Sequence, residues 1–144
     1  MGSSQSTGGA QVVRLRIPAD PRYARVVRDR LVRFTEGRPI ERQDVEEFVT
    51  AVSEAFANAI EHSGSHDPVD LELRLHDSDM VVATVADHGR GFAAERLPGE
   101  LPPAAALRGR GIPLMRRYSD VFSLQSDPRS GTRVTLGRYL RRIA

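Results

Sequence analysis

Three short segments of this chain combine residue types and spacings that suit chemistry on a phosphorylated ligand. The first is Glu54-Ala55-Phe56-Ala57-Asn58-Ala59-Ile60-Glu61-His62. Glu54 and Asn58 are four positions apart, so on a helix their side chains stack on one face. A carboxylate so placed can accept a proton from a nucleophile. An amide oxygen is a hard, neutral donor that suits Mg2+, which binds few protein groups and takes its other ligands from phosphates and water. The second segment is Asp87-His88-Gly89-Arg90-Gly91-Phe92. An acid at a strand end followed by spaced glycines sets one acceptor over a loop that a flat ligand can approach closely, and such an acceptor suits the exocyclic amine of adenine. The third is Gly109-Arg110-Gly111-Ile112-Pro113-Leu114-Met115. Glycines just before a helix open backbone N–H groups to phosphate oxygens, and the helix dipole adds to the attraction. Arg108 and Arg110 stand ready to assist. Taken singly, the three segments also suit a solvated helix face, a strand-to-loop turn and a helix entry.

Elements must position these groups. Val12, Leu15 and Ile17 before Pro18 read as an edge strand. Asp20-Pro21 reads as a helix start, with the acid as cap and proline in the first position. A longer helix is expected from about Asp44 to His62. Val45, Phe48, Val49, Val52, Ala55, Phe56, Ala59 and Ile60 form one apolar stripe, and Glu47, Glu54, Asn58, Glu61 and His62 lie opposite. Val69 to His76 alternates apolar and polar, and Met80 to Ala86 is mostly apolar, as in a central strand. Phe92 to Leu107 carries prolines, glycines and alanines with no sustained period and reads as a mobile segment, of a length that is usually either functional or disordered. A short helix over Ile112–Tyr118 and two closing strands around the turn Asp127 to Gly131 complete the chain. Helices cluster early and strands pair later, so the expected class is α+β: a two-layer sandwich whose mixed, mostly antiparallel sheet is covered on one face by helices.

Composition narrows the function. At 144 residues the chain makes one domain. Residues 1–10, rich in Ser and Gly, read as a flexible leader, and residues 11–144 as the domain itself. There is no cysteine, which excludes disulfides and thiolate metal sites. His62 and His66 lack an evident third ligand for a metal. No apolar run approaches the roughly 20 residues that span a bilayer, and no signal peptide opens the chain, so a cytoplasmic protein without a membrane partner is expected. The 21 basic residues are all arginine, which holds the pI near 9.6 at a net charge of only +2. With 19 acids interspersed and no basic run, the bias does not point to nucleic acid. Lysine is absent, so the third segment is not a Walker A loop. Nor is there an early strand–glycine–helix unit for a dinucleotide.

Read together, Glu-x-x-x-Asn, Asp-x-Gly-x-Gly, Gly-x-Gly-Ile-x-Leu-Met and Gly131-Thr132 occur in an order that resembles the GHKL, or Bergerat, ATP-binding fold. The wording Glu-Ala-x-x-Asn-Ala-x-x-His and the short length resemble the anti-sigma-factor serine/threonine kinases within it, from about Val12 to Leu140. The resemblance implies ATP and Mg2+ as cofactors. It makes Glu54 the base, Asn58 the metal ligand and Asp87 the acceptor for the adenine amine, supported by Thr132 through water. Gly89 and Gly91 would leave room for the nucleotide, and Phe92 would follow as a nucleotide-binding residue. Gly109 and Gly111 would hold the phosphates, with Ile112 and Leu114 following and Arg108 and Arg110 nearby. His62 would meet the nucleotide, and residues 92–108 would form an ATP lid. Arg22, Arg25, Arg28 and Arg30 all remain open as a further phosphate contact. The implied partners are a sigma factor, a STAS-domain antagonist that is phosphorylated, and a second copy in a homodimer. The alternative is a nucleotide-dependent protein-binding module of the same fold without kinase activity; the presence of Glu54 favours the enzyme.

Overall fold

The computed structural model describes residues 3–7, 10–63, 66–77, 79–88 and 111–143. Its elements are β1 (Ser3–Thr7), β2 (Ala10–Ile17), a 3-10 turn at Pro21–Tyr23, α1 (Ala24–Thr35), α2 (Arg42–Ser63), β3 (Val69–His76), β4 (Met80–Ala86), α3 (Gly111–Arg117), β5 (Val121–Asp127) and β6 (Gly131–Tyr139). Asp20 caps the first turn as its sequence context suggests: its backbone is extended and Oδ1 accepts the Arg22 N–H at 2.9 Å. Ser3–Thr7, read from composition as part of a flexible leader, pairs with β2 as the outermost strand.

The six strands lie in the order β1-β2-β3-β4-β6-β5, and each of these pairings is antiparallel, where the sequence suggested some parallel pairing. The period of two along each strand sorts the side chains. Leu71, Leu73 and Leu75 on β3, Val81, Ala83 and Val85 on β4, and Val134 and Leu136 on β6 are buried. They meet the buried stripe of α2, which includes Phe48, Val52, Ala55, Phe56 and Ala59. α1 adds Val27, Leu31 and Phe34 to the same core, and α3 adds Ile112 and Met115. α2 touches α1, α3 and strands β3, β4 and β6, so it is the central helix of the layer. The other face of the sheet carries charged rungs instead. Arg14 donates to Glu72 at 2.9 Å and Arg16 to Asp70 at 3.1 Å across the β2–β3 register. Among the described residues no helix is long and apolar enough to cross a membrane.

One polar cluster fixes how α2 lies on the sheet. Asp44 sits in the first turn of the helix and is only 1% exposed. Its Oδ2 accepts the backbone N–H of Arg141 at 2.9 Å, and the Arg141 guanidinium grips both carboxylate oxygens at 2.8 and 3.0 Å. Arg138 donates to Asp44 at 2.9 Å and to Glu47 at 2.7 Å, and reaches the Tyr118 carbonyl at 3.3 Å. A buried carboxylate is costly unless it is paired and fully hydrogen-bonded, and Asp44 is both. The Arg141 hydrogen bonds, opposed by burial and aided by the charge of Arg138, hold its pKa down to about 2. The helix therefore begins at the Met80–Tyr139 end of the β4–β6 pair. From Asp44 to Asn58 it rises about 21 Å, close to the roughly 20 Å length of a seven-residue strand such as β4.

Candidate functional site

β4 ends at Ala86, and its alternation continues into the two residues that follow. Val81, Ala83 and Val85 face the helices, so Asp87 does too, and it is 6% exposed. Ala86 and then His88 face the outer side of the sheet. The Asp87 backbone N–H donates to the Thr132 carbonyl at 2.9 Å, which extends the β4–β6 ladder by one rung. In return the Thr132 N–H donates to Asp87 Oδ1 at 3.3 Å. Thr132 and Ser126 oppose each other across β5 and β6, and their hydroxyls share a hydrogen bond of 2.8 Å. A cleft of about 360 Å³ opens here. Its walls include Asp87, Ser126, Gly131 and Thr132.

Gly131 is required at this place. Its φ of +95° lies in the left-handed region that favours glycine. A Cβ there would also run into the Asp87 carbonyl oxygen and come within 3.0 Å of Oδ1. Absence of a side chain is thus what lets β6 start against the buried acid. Gly131→Ala is expected to destabilise the fold by about 1–3 kcal/mol, the scale of a strained backbone position, in urea denaturation; a midpoint equal to that of the parent protein would refute this account of the glycine.

The structure brings Asp87 and Thr132 together, as the sequence anticipated, and adds two residues to them. Ser126 was missed, although the tight turn between Asp127 and Gly131 already sets it opposite Thr132. Gly131 was noted only as the companion of Thr132. Glu54 and Asn58 lie half-buried on α2, one turn apart, and they are not among the residues that line the Asp87 cleft. Ile112 is buried and Leu114 half-buried on α3, which starts at Gly111 and packs on α2. Gly89, Gly91, Phe92, Arg108, Gly109, Arg110 and the side chain of His62 lie outside the described residues, as does the segment expected to form a lid. The donor types present fit a nucleotide with its metal. A buried acid on a cleft wall suits an amine donor, and an amide oxygen on α2 suits Mg2+. Among the described residues no group of three or more His, Asp or Glu side chains is arranged to hold a metal by itself, and Mg2+ shared with phosphates needs no such cage.

Comparison with known proteins agrees with this arrangement. Residues 17–138 match the model of the histidine kinase-like ATPase domain. The chain is 28% identical over 139 residues to serine-protein kinase RsbW of Bacillus velezensis, spanning 89% of this chain and 85% of that protein. It is 26% identical to serine-protein kinase RsbW of Bacillus subtilis over 91% of this chain and 87% of the relative. It is 33% identical to the anti-sigma F factor of Heyndrickxia coagulans over 63% of this chain and 67% of the relative. Among solved structures, one containing RsbU and RsbW domains from Mycobacterium tuberculosis superposes with a TM-score of 0.70 at 23% identity, covering 92% of this chain and 33% of that longer one. That likeness speaks to the fold. With Asp87 and Thr132 joined at the end of β4, with the helix layer on one face of the antiparallel sheet, and with the family match running through 17–138, the chain belongs to the histidine kinase-like ATPase domain family.

Proposed function

We propose that this protein is an ATP-dependent serine/threonine kinase that acts as an anti-sigma factor in the cytoplasm. The observation that supports it best is the buried Asp87 on the wall of a cleft, fixed by Thr132 and Gly131 at the end of the central strand. ATP bound with Mg2+ would supply the γ-phosphoryl group and a cation to neutralise charge. Asp87 accepts the purine's exocyclic amine and Thr132 supports that contact. Asn58 holds the metal through its amide oxygen, a donor that stays neutral and leaves the phosphates to complete the coordination. Glu54 takes the proton from the serine or threonine hydroxyl of a STAS-domain antagonist. The protein's part in such a transfer is mostly positioning and electrostatic stabilisation. The unphosphorylated antagonist competes with the sigma factor for the kinase, and its phosphorylation releases it, so that the kinase sequesters the sigma factor. The kinase works as a homodimer in this scheme.

Asp87→Ala tests the reading. A hydrogen bond to an ionised group contributes about 1.5–3 kcal/mol, so ATP should bind about 10- to 150-fold more weakly by calorimetry. A variant that melts like the parent and binds ATP equally well would sink the assignment of Asp87.

A further inference from the structure

The residue after Asp87 has a contact of its own, on the opposite face of the sheet. His88 Nε2 lies 2.7 Å from Asp70 Oδ2 on β3. The other oxygen of that carboxylate accepts from Arg16 Nε on β2 at 3.1 Å. β4 has ended by this point, and the Asp87–Thr132 rung carries the strand ladder one residue beyond it. The consecutive side chains Asp87 and His88 are therefore tied to different strands on different faces. Asp87 is held by β6 toward the helices, and His88 by β3 toward the outer surface. A backbone gripped on both sides at its exit from a sheet is restrained from rotating about the strand axis, and rotation is the motion that would swing the Asp87 carboxylate out of the cleft.

We infer that His88 is a positioning residue for nucleotide binding: through Asp70 it fixes the strand exit that aims Asp87 at the purine amine. This rests on the ATP reading given above. His88 need not touch nucleotide, and its contribution is the conformational freedom it removes from the neighbouring residue before the ligand arrives. The side chains of the pair are 46% and 37% exposed, so the effect is modest. Exposed ion pairs are worth little in stability, and a loss of about two- to five-fold in ATP affinity corresponds to their usual strength.

Calorimetry with ATP on the full chain tests the idea with five variants. His88→Ala and Asp70→Ala should each weaken binding by about two- to five-fold, and the double variant should be no worse than the weaker single one. His88→Gln, whose amide still donates to Asp70, should recover most of the affinity. Arg14→Ala is the comparison. It breaks the Arg14–Glu72 pair between β2 and β3, two register positions from Arg16–Asp70 and away from the strand exit, and ATP affinity should not change. In steady-state kinetics the loss should fall on the KM for ATP and leave kcat in place. Unchanged affinity in His88→Ala, or an equal loss in Arg14→Ala, overturns the inference. If His88→Ala does not fold, Asp70→Ala removes the same contact from the other side and decides the matter. A parent protein that binds no ATP would instead refute the underlying reading, so the two failures are distinct.

Discussion

Glu54→Gln is expected to lower phosphoryl transfer to an antagonist by at least about 100-fold while leaving ATP affinity within about two-fold of the parent value. Glutamine keeps the shape of the side chain and its place on α2, and it loses only the capacity to take a proton. Glu54 is half-buried on the helix that carries Asn58 one turn farther on, and it lines no part of the Asp87 cleft. A change confined to it should therefore leave purine recognition alone. Single-turnover transfer from labelled ATP measures the first quantity and calorimetry the second. Transfer at the parent rate in Glu54→Gln would remove the base from the mechanism. It would also favour the reading of the domain as a nucleotide-dependent binding module whose clients are held and not modified.

The other large effect concerns stability. Asp44→Ala should cost about 3 kcal/mol and lower the melting temperature by roughly 10 °C. It strips a partner from Arg138, whose side chain is only 14% exposed, and an acceptor from the Arg141 backbone N–H. Glu47 still holds Arg138, which keeps the loss at the lower end for a broken buried pair. Arg141→Ala should cost less, about 1–2 kcal/mol, because Arg138 and the backbone N–H of residue 141 still hold the buried carboxylate. The same carboxylate predicts an acid limb. Its pKa in the folded protein is about 2 against an ordinary 3.8. The contribution is therefore complete above about pH 4 and is lost as pH falls from there through about 2, and it amounts to roughly 2–3 kcal/mol. Urea midpoints measured between pH 5 and pH 2 should show this limb in the parent and not in Asp44→Asn. An identical acid profile in the two proteins would refute it.

The elements were legible because their signals are local. The apolar stripe of α2 and the alternation of β3 require nothing beyond 20 consecutive residues, and both appear where expected. The candidate site was legible in part. Asp87 and Thr132 stood out through the order of four motifs, and the structure joins them. What stayed hidden depends on pairing between distant segments. Asp44 reads as an ordinary acid in a first helical turn, and α2 in fact starts two residues before it, at Arg42. Nothing near it announces Arg138 and Arg141, which lie 94 and 97 positions away. Asp70 looks like one more polar residue on the wet face of β3 until the register of the sheet sets it beside Arg16 and the strand exit sets it beside His88. The Ser- and Gly-rich start could not reveal β1, because a strand at the rim draws on backbone pairing more than on side-chain pattern.

The link from Asp44 to Arg138 and Arg141 also bears on the order of events during biosynthesis. A nascent chain could form α2 as soon as its residues emerge, yet the carboxylate at its head would find no counter-ion until β6 had been made. β6 is also the strand inserted between β4 and β5, so the sheet cannot close without it. The final registration of helix layer on sheet is thus a late step that waits for the closing segment, and folding should be slow compared with a helical bundle of similar size, as expected where contacts join remote parts of a chain.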